Sequence, residues 1–220
     1  MTSSAVRRGM LASRTALSRC ATAPLLRTET RSTSTVSDSA ERRRRRQLYD
    51  RILRVNHAGE FGADRIYAGQ LAVLGSKSEA GAQVRHMWEQ EKEHLKAFEE
   101  LLSRNRARPT ALLPLWNVAG FALGAATALL GKRSAMACTV AVESVITEHY
   151  TSQIRELLAD QGDTQRHKEL LDVISKCRDD EQEHHDVGLA NEATEAPFYQ
   201  LMTSVIGAGC RTAIWVAERI

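Results

Sequence analysis

An all-α fold is what this sequence predicts: a four-helix bundle with an additional apolar helix and a C-terminal helix. Three observations carry it. Aromatic residues are only 5% of the 220-residue chain and Pro occurs 4 times, which argues against the short, turn-rich strands of an all-β protein. The polar stretches are rich in Glu, Arg, Ala and Leu, which are strong helix formers. Finally, one helical hairpin is written twice. Glu60-x6-Tyr67-x2-Gln70 returns as Glu143-x6-Tyr150-x2-Gln153, and Glu91-Lys92-Glu93-His94 returns as Glu181-Gln182-Glu183-His184. From the Gln to the second motif is 21 residues in one copy and 28 in the other. The difference is two helical turns, so the longer hairpin presents the same face. Two copies of a helical hairpin make a four-helix bundle with an approximate two-fold axis.

Taken in order, the pattern predicts helices over 47–74, 78–105, 112–130, 134–159, 164–189 and 194–219. Gly75-Ser76 ends the first, and Arg108-Pro109-Thr110 separates the second from the third. Gly131 ends the third, and Asp160-Gln161-Gly162-Asp163 ends the fourth and offers Asp163 as an N-cap for the fifth. Pro197 is expected in the first turn of the last helix, where a missing N–H does no harm.

The charge divides the chain. Residues 1–40 hold six Arg, no Lys, and only Glu29 and Asp38 as acids, and Arg42–Arg46 adds a basic run. Residues 47–220 hold 19 basic and 24 acidic residues, so the overall charge of +3 comes from the leader. A nucleic-acid-binding surface needs its basic residues within the folded part, and that class is excluded. Residues 1–36 are Arg-, Ser- and Thr-rich, acid-poor and without a long apolar core, the composition of a mitochondrial transit peptide. A polar tail is the alternative. Residues 37–46 read as a basic linker able to touch anionic lipid, and 47–220 as the domain, with repeats at 47–105 and 134–189. Cys20, Cys138, Cys177 and Cys210 are far apart and form no Cys-x-x-Cys, so they read as reduced thiols.

Chemistry enters with the repeat. A Glu-x-x-His pair sets a carboxylate and an imidazole one turn apart on one helix face, within reach of one metal. The chain has two such pairs, Glu91/His94 and Glu181/His184, each preceded by a lone Glu on another helix, Glu60 and Glu143. Glu143 closes a stretch without charge that begins after Arg133. A carboxylate buried there must be protonated, paired or bound to a cation. One Glu from each of two helices and Glu-x-x-His from each of the other two is the arrangement of ferritin-like di-iron carboxylate proteins. Oxygen ligands with two imidazoles and no thiolate favour iron or manganese over zinc or copper. The ligands alone leave O2 activation, ferroxidase chemistry and peroxide reduction open. Tyr67 and Tyr150 lie two turns after the lone Glu and share its face, either as core or near the metals. Asp180 is placed to orient His94 from the facing helix, and His149 is a similar candidate. His57, His86, His167 and His185 read either as surface histidines or as ones standing behind the metal ligands.

Pro109 to Gly131 is a run of 23 uncharged residues, long enough for a transmembrane helix. A single crossing would put the two hairpins on opposite sides of a bilayer, yet they share one metal site. The predicted helix 112–130 is therefore either a buried connection or one lying in a leaflet, and its length favours membrane association. Gly120-x-x-x-Gly124 offers it a close-packing face.

The stretches Arg54-Val55-Asn56-His57-Ala58-Gly59-Glu60-Phe61-Gly62-Ala63, Ile66-Tyr67-Ala68-Gly69-Gln70, Glu89-Gln90-Glu91-Lys92-Glu93-His94, Cys138-Thr139-Val140-Ala141-Val142-Glu143 and Asp180-Glu181-Gln182-Glu183-His184-His185-Asp186 resemble the 5-demethoxyubiquinone hydroxylase family. The resemblance covers about residues 47–220 and fills all six ligand positions. Thr147-Glu148-His149 departs from the paired histidines the family often carries. The resemblance implies a mitochondrial monooxygenase of ubiquinone biosynthesis, peripheral or monotopic on the matrix side of the inner membrane. It would hydroxylate the ring of a polyprenyl demethoxy-benzoquinone or quinol with O2, two iron ions and electrons from NADH, within a ubiquinone-biosynthesis protein complex. Glu60, Glu91 and His94 would hold one iron and Glu143, Glu181 and His184 the other, with Glu91 and Glu181 bridging. A ferritin-like ferroxidase and a structural organiser of the quinone-biosynthesis complex are the competing readings.

Overall fold

The computed structural model describes residues 30–160 and 164–220, and among these there is no strand. Six helices follow one another: α1 (Thr30–Leu74), α2 (Glu79–Asn105), α3 (Leu113–Leu129), α4 (Lys132–Ala159), α5 (Lys168–Ala190) and α6 (Tyr199–Ala217). Two compact units are distinguished, Met1–Glu41 and Arg42–Ile220. The bundle, with every residue of the repeat, lies in the second.

Several boundaries differ from the sequence expectation, each for a local reason. α1 begins at Thr30 rather than near 47, because nothing in the Arg run breaks a helix. The stretch expected as a linker, 37–46, is accordingly helical, while residues 1–29 of the expected transit peptide lie outside the described residues. So does the N-cap expected at Asp163, and α5 follows a 3-10 turn, Thr164–His167. Pro197 is not in the last helix. A 3-10 turn over Ala193–Glu195 and a left-handed Phe198 (φ 56°) delay its start to Tyr199. α2 begins where expected, capped by the Ser78 hydroxyl, which accepts from the Gly81 N–H at 2.9 Å.

Two apolar clusters fix the helix directions. One gathers Ile52, Leu53, Phe98, Leu101, Leu157, Leu170 and Ile174. The other gathers Tyr67, Val84, Met87, Met136 and Ala137, with Val187 packed against it. α1 and α5 run from the first cluster to the second, and α2 and α4 run the other way. The end of α2 and the start of α4 therefore lie at opposite ends of the bundle. A connection must travel its length, and the apolar α3, at 17 residues or roughly 25 Å, does so. It runs parallel to α1 and very close to it. A Cβ at Gly120 would meet the Gly62 carbonyl at 2.9 Å, and one at Gly124 would strike the Ile66 carbonyl. The small-residue face read from the sequence thus packs on α1. No described helix is long and apolar enough to cross a membrane.

α4 is the central helix. Ten consecutive residues, Ser134–Glu143, are buried, as expected of a helix with neighbours all round. Gly188 of α5 lets that helix approach Met136 and Val140, while α3 and α6 cover the remaining sides. His57 and His167 are buried rather than on the surface, the latter bonded through Nδ1 to the Tyr49 hydroxyl at 2.9 Å.

Candidate metal centre

Halfway along four helices, between the two apolar clusters, the six residues of the repeat come together. Glu60, Glu91, His94, Glu143, Glu181 and His184 are each at most 2% exposed. Their ligand atoms form two clusters, Glu60/Glu91/His94/Glu181 and Glu91/Glu143/Glu181/His184, within each of which all atoms lie within 4.8 Å of one another. Glu91 and Glu181 belong to both.

The surroundings aim these side chains from across the repeat. The Tyr67 hydroxyl donates to Glu143 Oε1 at 2.7 Å, and the Tyr150 hydroxyl donates to Glu60 Oε1. Each tyrosine thus serves the lone Glu of the other hairpin rather than its own. His94 Nε2 meets Asp180 Oδ2 at 2.8 Å, and His184 Nε2 meets Gln90 Oε1 at 3.1 Å. Gln90 escaped the sequence reading, although the repeat marks it: it precedes Glu91 as Asp180 precedes Glu181. Among the described residues no hydrogen bond joins His149 to His94 or His184. The His149 Nε2 accepts from the Gln153 amide at 2.8 Å, and Gln153 pairs with Asn56.

What these bonds leave over is the test of whether metal ions fit. Glu60 Oε2, Glu143 Oε2, both Glu91 oxygens and His94 Nδ1 are buried without a hydrogen-bond partner. Leaving one buried polar atom unpaired costs on the order of 1–3 kcal/mol, so a group of five asks for a shared partner. Each tyrosine occupies Oε1 of its Glu and leaves Oε2 open, while Asp180 occupies one nitrogen of His94 and leaves the other open. All donors are carboxylate oxygen or imidazole nitrogen, which suits a pair of iron or manganese ions.

Titration behaviour carries the same message. Burial pushes the Glu143 carboxyl well above the usual range, with the Glu181 and Glu91 carboxylates adding to it. Burial alone would lower His184, but the Glu181 and Glu91 carboxylates facing it outweigh this and hold the ring at about 11. For His94 burial is likewise outweighed, by the Glu181, Glu60 and Glu91 carboxylates that face its Nδ1. So many carboxylates in so little water bind positive charge tightly.

Next to the centre lies an apolar cavity of about 330 Å³ between α1, α3, α4 and α6. Its walls include Gly59, Ile66, Trp116, Leu123, His149 and Tyr150. Tyr150 lines the cavity and bonds Glu60, so it stands between the two. Burial first, and Arg51 second, lower the His149 ring to about 4, so it is neutral near pH 7. Outside the cavity, α3 and α6 expose Leu115, Val118, Phe121, Leu201 and Trp215.

Fold and centre together define a ferritin-like helical bundle with a buried carboxylate–imidazole cluster able to hold metal. The family profile described as "Ubiquinone biosynthesis protein COQ7" matches residues 47–217. The chain belongs to that family, and with it to the hydroxylating oxidoreductases of ubiquinone biosynthesis. It is 58% identical over 175 residues, 80% of this chain and 79% of the relative, to the human "NADPH-dependent 3-demethoxyubiquinone 3-hydroxylase, mitochondrial". The mouse protein of the same name is 59% identical over 79% of each chain. The "3-demethoxyubiquinol 3-hydroxylase" of Rhodospirillum rubrum is 51% identical, again over 79% of each. Of the three readings the residues left open, membership selects the hydroxylase.

Proposed function

We propose that this chain hydroxylates the ring of a polyprenyl demethoxy-benzoquinone or its quinol, with two iron ions held by Glu60, Glu91, His94, Glu143, Glu181 and His184. The observation that carries this reading is a pair of carboxylate–imidazole clusters sharing Glu91 and Glu181 beside an apolar cavity. Glu91 and Glu181, which belong to both clusters, would be shared between the two ions. Glu60 and His94 complete one position, and Glu143 and His184 the other. Bound there, the iron pair supplies O2 activation, for which two electrons come from a reduced nicotinamide nucleotide: NADH by the sequence resemblance, NADPH by the relatives' printed names.

The protein's own residues bind, aim and exclude water. The cavity takes the quinone head, within the range of small-ligand pockets, and its apolar walls keep the ring dry. Because His149 Nε2 accepts from Gln153, its Nδ1–H is the donor available to a ring oxygen. Tyr67 and Tyr150 fix the outer oxygens of Glu143 and Glu60, leaving the inner ones to the metals.

The isoprenoid tail leaves over the apolar faces of α3 and α6, which rest on the matrix leaflet of the mitochondrial inner membrane. Support comes from the exposure of Leu115 (54%), Val118 (67%) and Phe121 (43%) and from the Arg-rich leader. The same faces are where other proteins of a ubiquinone-biosynthesis complex would adjoin.

The test is O2 consumption by the iron-loaded protein with a short-tailed demethoxyquinone, product being read by mass. One hydroxyl gained per O2, only with iron, is expected; O2 uptake without ring hydroxylation would defeat the reading. Replacing Leu115, Val118 and Phe121 with Ser should release the protein from liposomes and spare its iron. If liposome binding and long-tailed turnover stayed intact, α3 would be a connection only.

A further inference from the structure

One thiol beside the centre has no place in the hydroxylase reading. Cys177 stands on α5 one turn before Glu181, on the same helix face. It is 1% exposed and free of any disulfide. Its sulfur, a Glu60 oxygen and a His94 nitrogen lie within 4.8 Å of one another. The two partners are those with unpaired atoms: Glu60 Oε2 and His94 Nδ1 are buried without a hydrogen bond, on side chains 2% exposed. Glu181 Oε1 is 3.2 Å from His94 Nδ1 and belongs to the neighbouring carboxylate cluster rather than to the group that holds the sulfur. In the first hairpin the equivalent position is Met87, whose thioether lies 3.9 Å from the Tyr67 hydroxyl. An ionisable sulfur therefore occurs at one metal position and not at the other.

We propose that Glu60, His94 and Cys177 form a mixed oxygen–nitrogen–sulfur site that takes Zn2+ in competition with iron, its fourth position left to water. The proposal rests on the reading of Glu60 and His94 as metal ligands. Zinc accepts carboxylate, imidazole and thiolate in a tetrahedral set, and a thiolate tilts selectivity towards it. On binding, the S–H bond breaks, the proton passes to solvent and the sulfur pair bonds the metal. No electron moves. Zinc has no redox chemistry, so its occupancy of this position silences oxygen insertion.

The experiment uses the full chain with Co2+ as the spectroscopic stand-in for zinc. A near-ultraviolet thiolate-to-cobalt charge-transfer band should appear together with the visible ligand-field bands. Cys177→Ser should lose the first, keep the second and keep its iron, while Cys138→Ser and Cys210→Ser retain both. Zinc affinity of Cys177→Ser should fall at least as far as the roughly 10–100-fold typical for loss of an outer-shell partner. X-ray absorption at the zinc edge of the unaltered protein needs no variant, and should find one sulfur neighbour at about 2.3 Å. Visible bands without a sulfur band, or a zinc shell without sulfur, would overturn the proposal and leave the six-residue centre standing. No cobalt binding at all would sink both.

Discussion

The α1–α2 and α4–α5 hairpins bring the same residue types to the metals, one Glu and one Glu-x-x-His each, but differ one step further out. Behind His94 stands the carboxylate of Asp180, itself bonded to Lys176 Nζ at 2.5 Å; behind His184 stands the neutral amide of Gln90. Cys177 of the second hairpin corresponds to Met87 of the first, and His149 to Ile66. What repeats is the candidate ligand set. What differs makes the two halves of a nearly symmetric cage unequal, and places the imidazole of the cavity wall on the second hairpin.

The largest expected effect removes a shared requirement. Glu143→Ala should lose bound iron and turnover together, and Glu60→Ala should do the same. If either variant kept both irons and normal rates by metal analysis and product assay, its hairpin would not be supplying a ligand.

His149 probes the first difference. Its folded value of about 4 lies below the ordinary 6.5, so the unfolded chain takes up the proton first. Its contribution to stability is therefore complete above pH 6.5 and is lost as the pH falls towards 4, to an extent of about 3 kcal/mol at most. Urea midpoints measured from pH 7 down to 4.5 should drop more steeply for the wild type than for His149→Gln. Parallel curves would mean that the ring is solvated.

The histidine partners probe the second difference. A carboxylate behind a metal-bound imidazole makes it a stronger donor than an amide does. Asp180→Asn should thus weaken one of the two metals by roughly 10–100-fold, and Gln90→Glu should strengthen the other. Chelator-competition titrations should show two unequal steps in the wild type that converge in Asp180→Asn. Two equal steps in the wild type would count against any asymmetry of the pair.

The smallest effect belongs to the tyrosines. Tyr67→Phe and Tyr150→Phe each remove one buried hydrogen bond to a carboxylate, at a cost of about 1–3 kcal/mol in stability. The two should part in kinetics, because only Tyr150 also lines the cavity. A raised KM for Tyr150→Phe alone is expected; equal KM values would place the substrate elsewhere.

The six central residues were legible in the sequence because spacing fixes which helix face a side chain shares, and doubling of the spacing identifies the face that matters. Spacing does not say which helix stands opposite. Tyr67 and Tyr150 could be set on the face of the lone Glu, but that each bonds the Glu of the other hairpin depends on how α1 and α4 cross. Gln90 and Cys177 were within reach, one through the repeat and the other through its one-turn offset from Glu181, and both look ordinary until α2 and α5 are side by side. The length of α3 was read as a sign of membrane contact. The structure adds a topological demand, since parallel α1 and α5 require a connection that travels the bundle. The start of α1 and the turn at Pro197 were missed because an Arg run carries no stop signal, and because a left-handed Phe198 follows from no local preference.

The crossed bonding also sets an order of events during synthesis. When α1 and α2 have been made, Glu60 still lacks the hydroxyl of Tyr150 and His94 lacks the carboxylate of Asp180; both lie beyond the crossover helix, in the last third of the chain. A ribosome-bound first hairpin therefore offers an arriving ion only half a cage, with ligands that nothing yet aims. Loading of the proposed metal pair would then be a late step, open once α5 has docked. A backbone cut in the Arg108–Thr110 loop would leave two fragments, neither able to hold the metal pair alone and each carrying the groups that the other lacks.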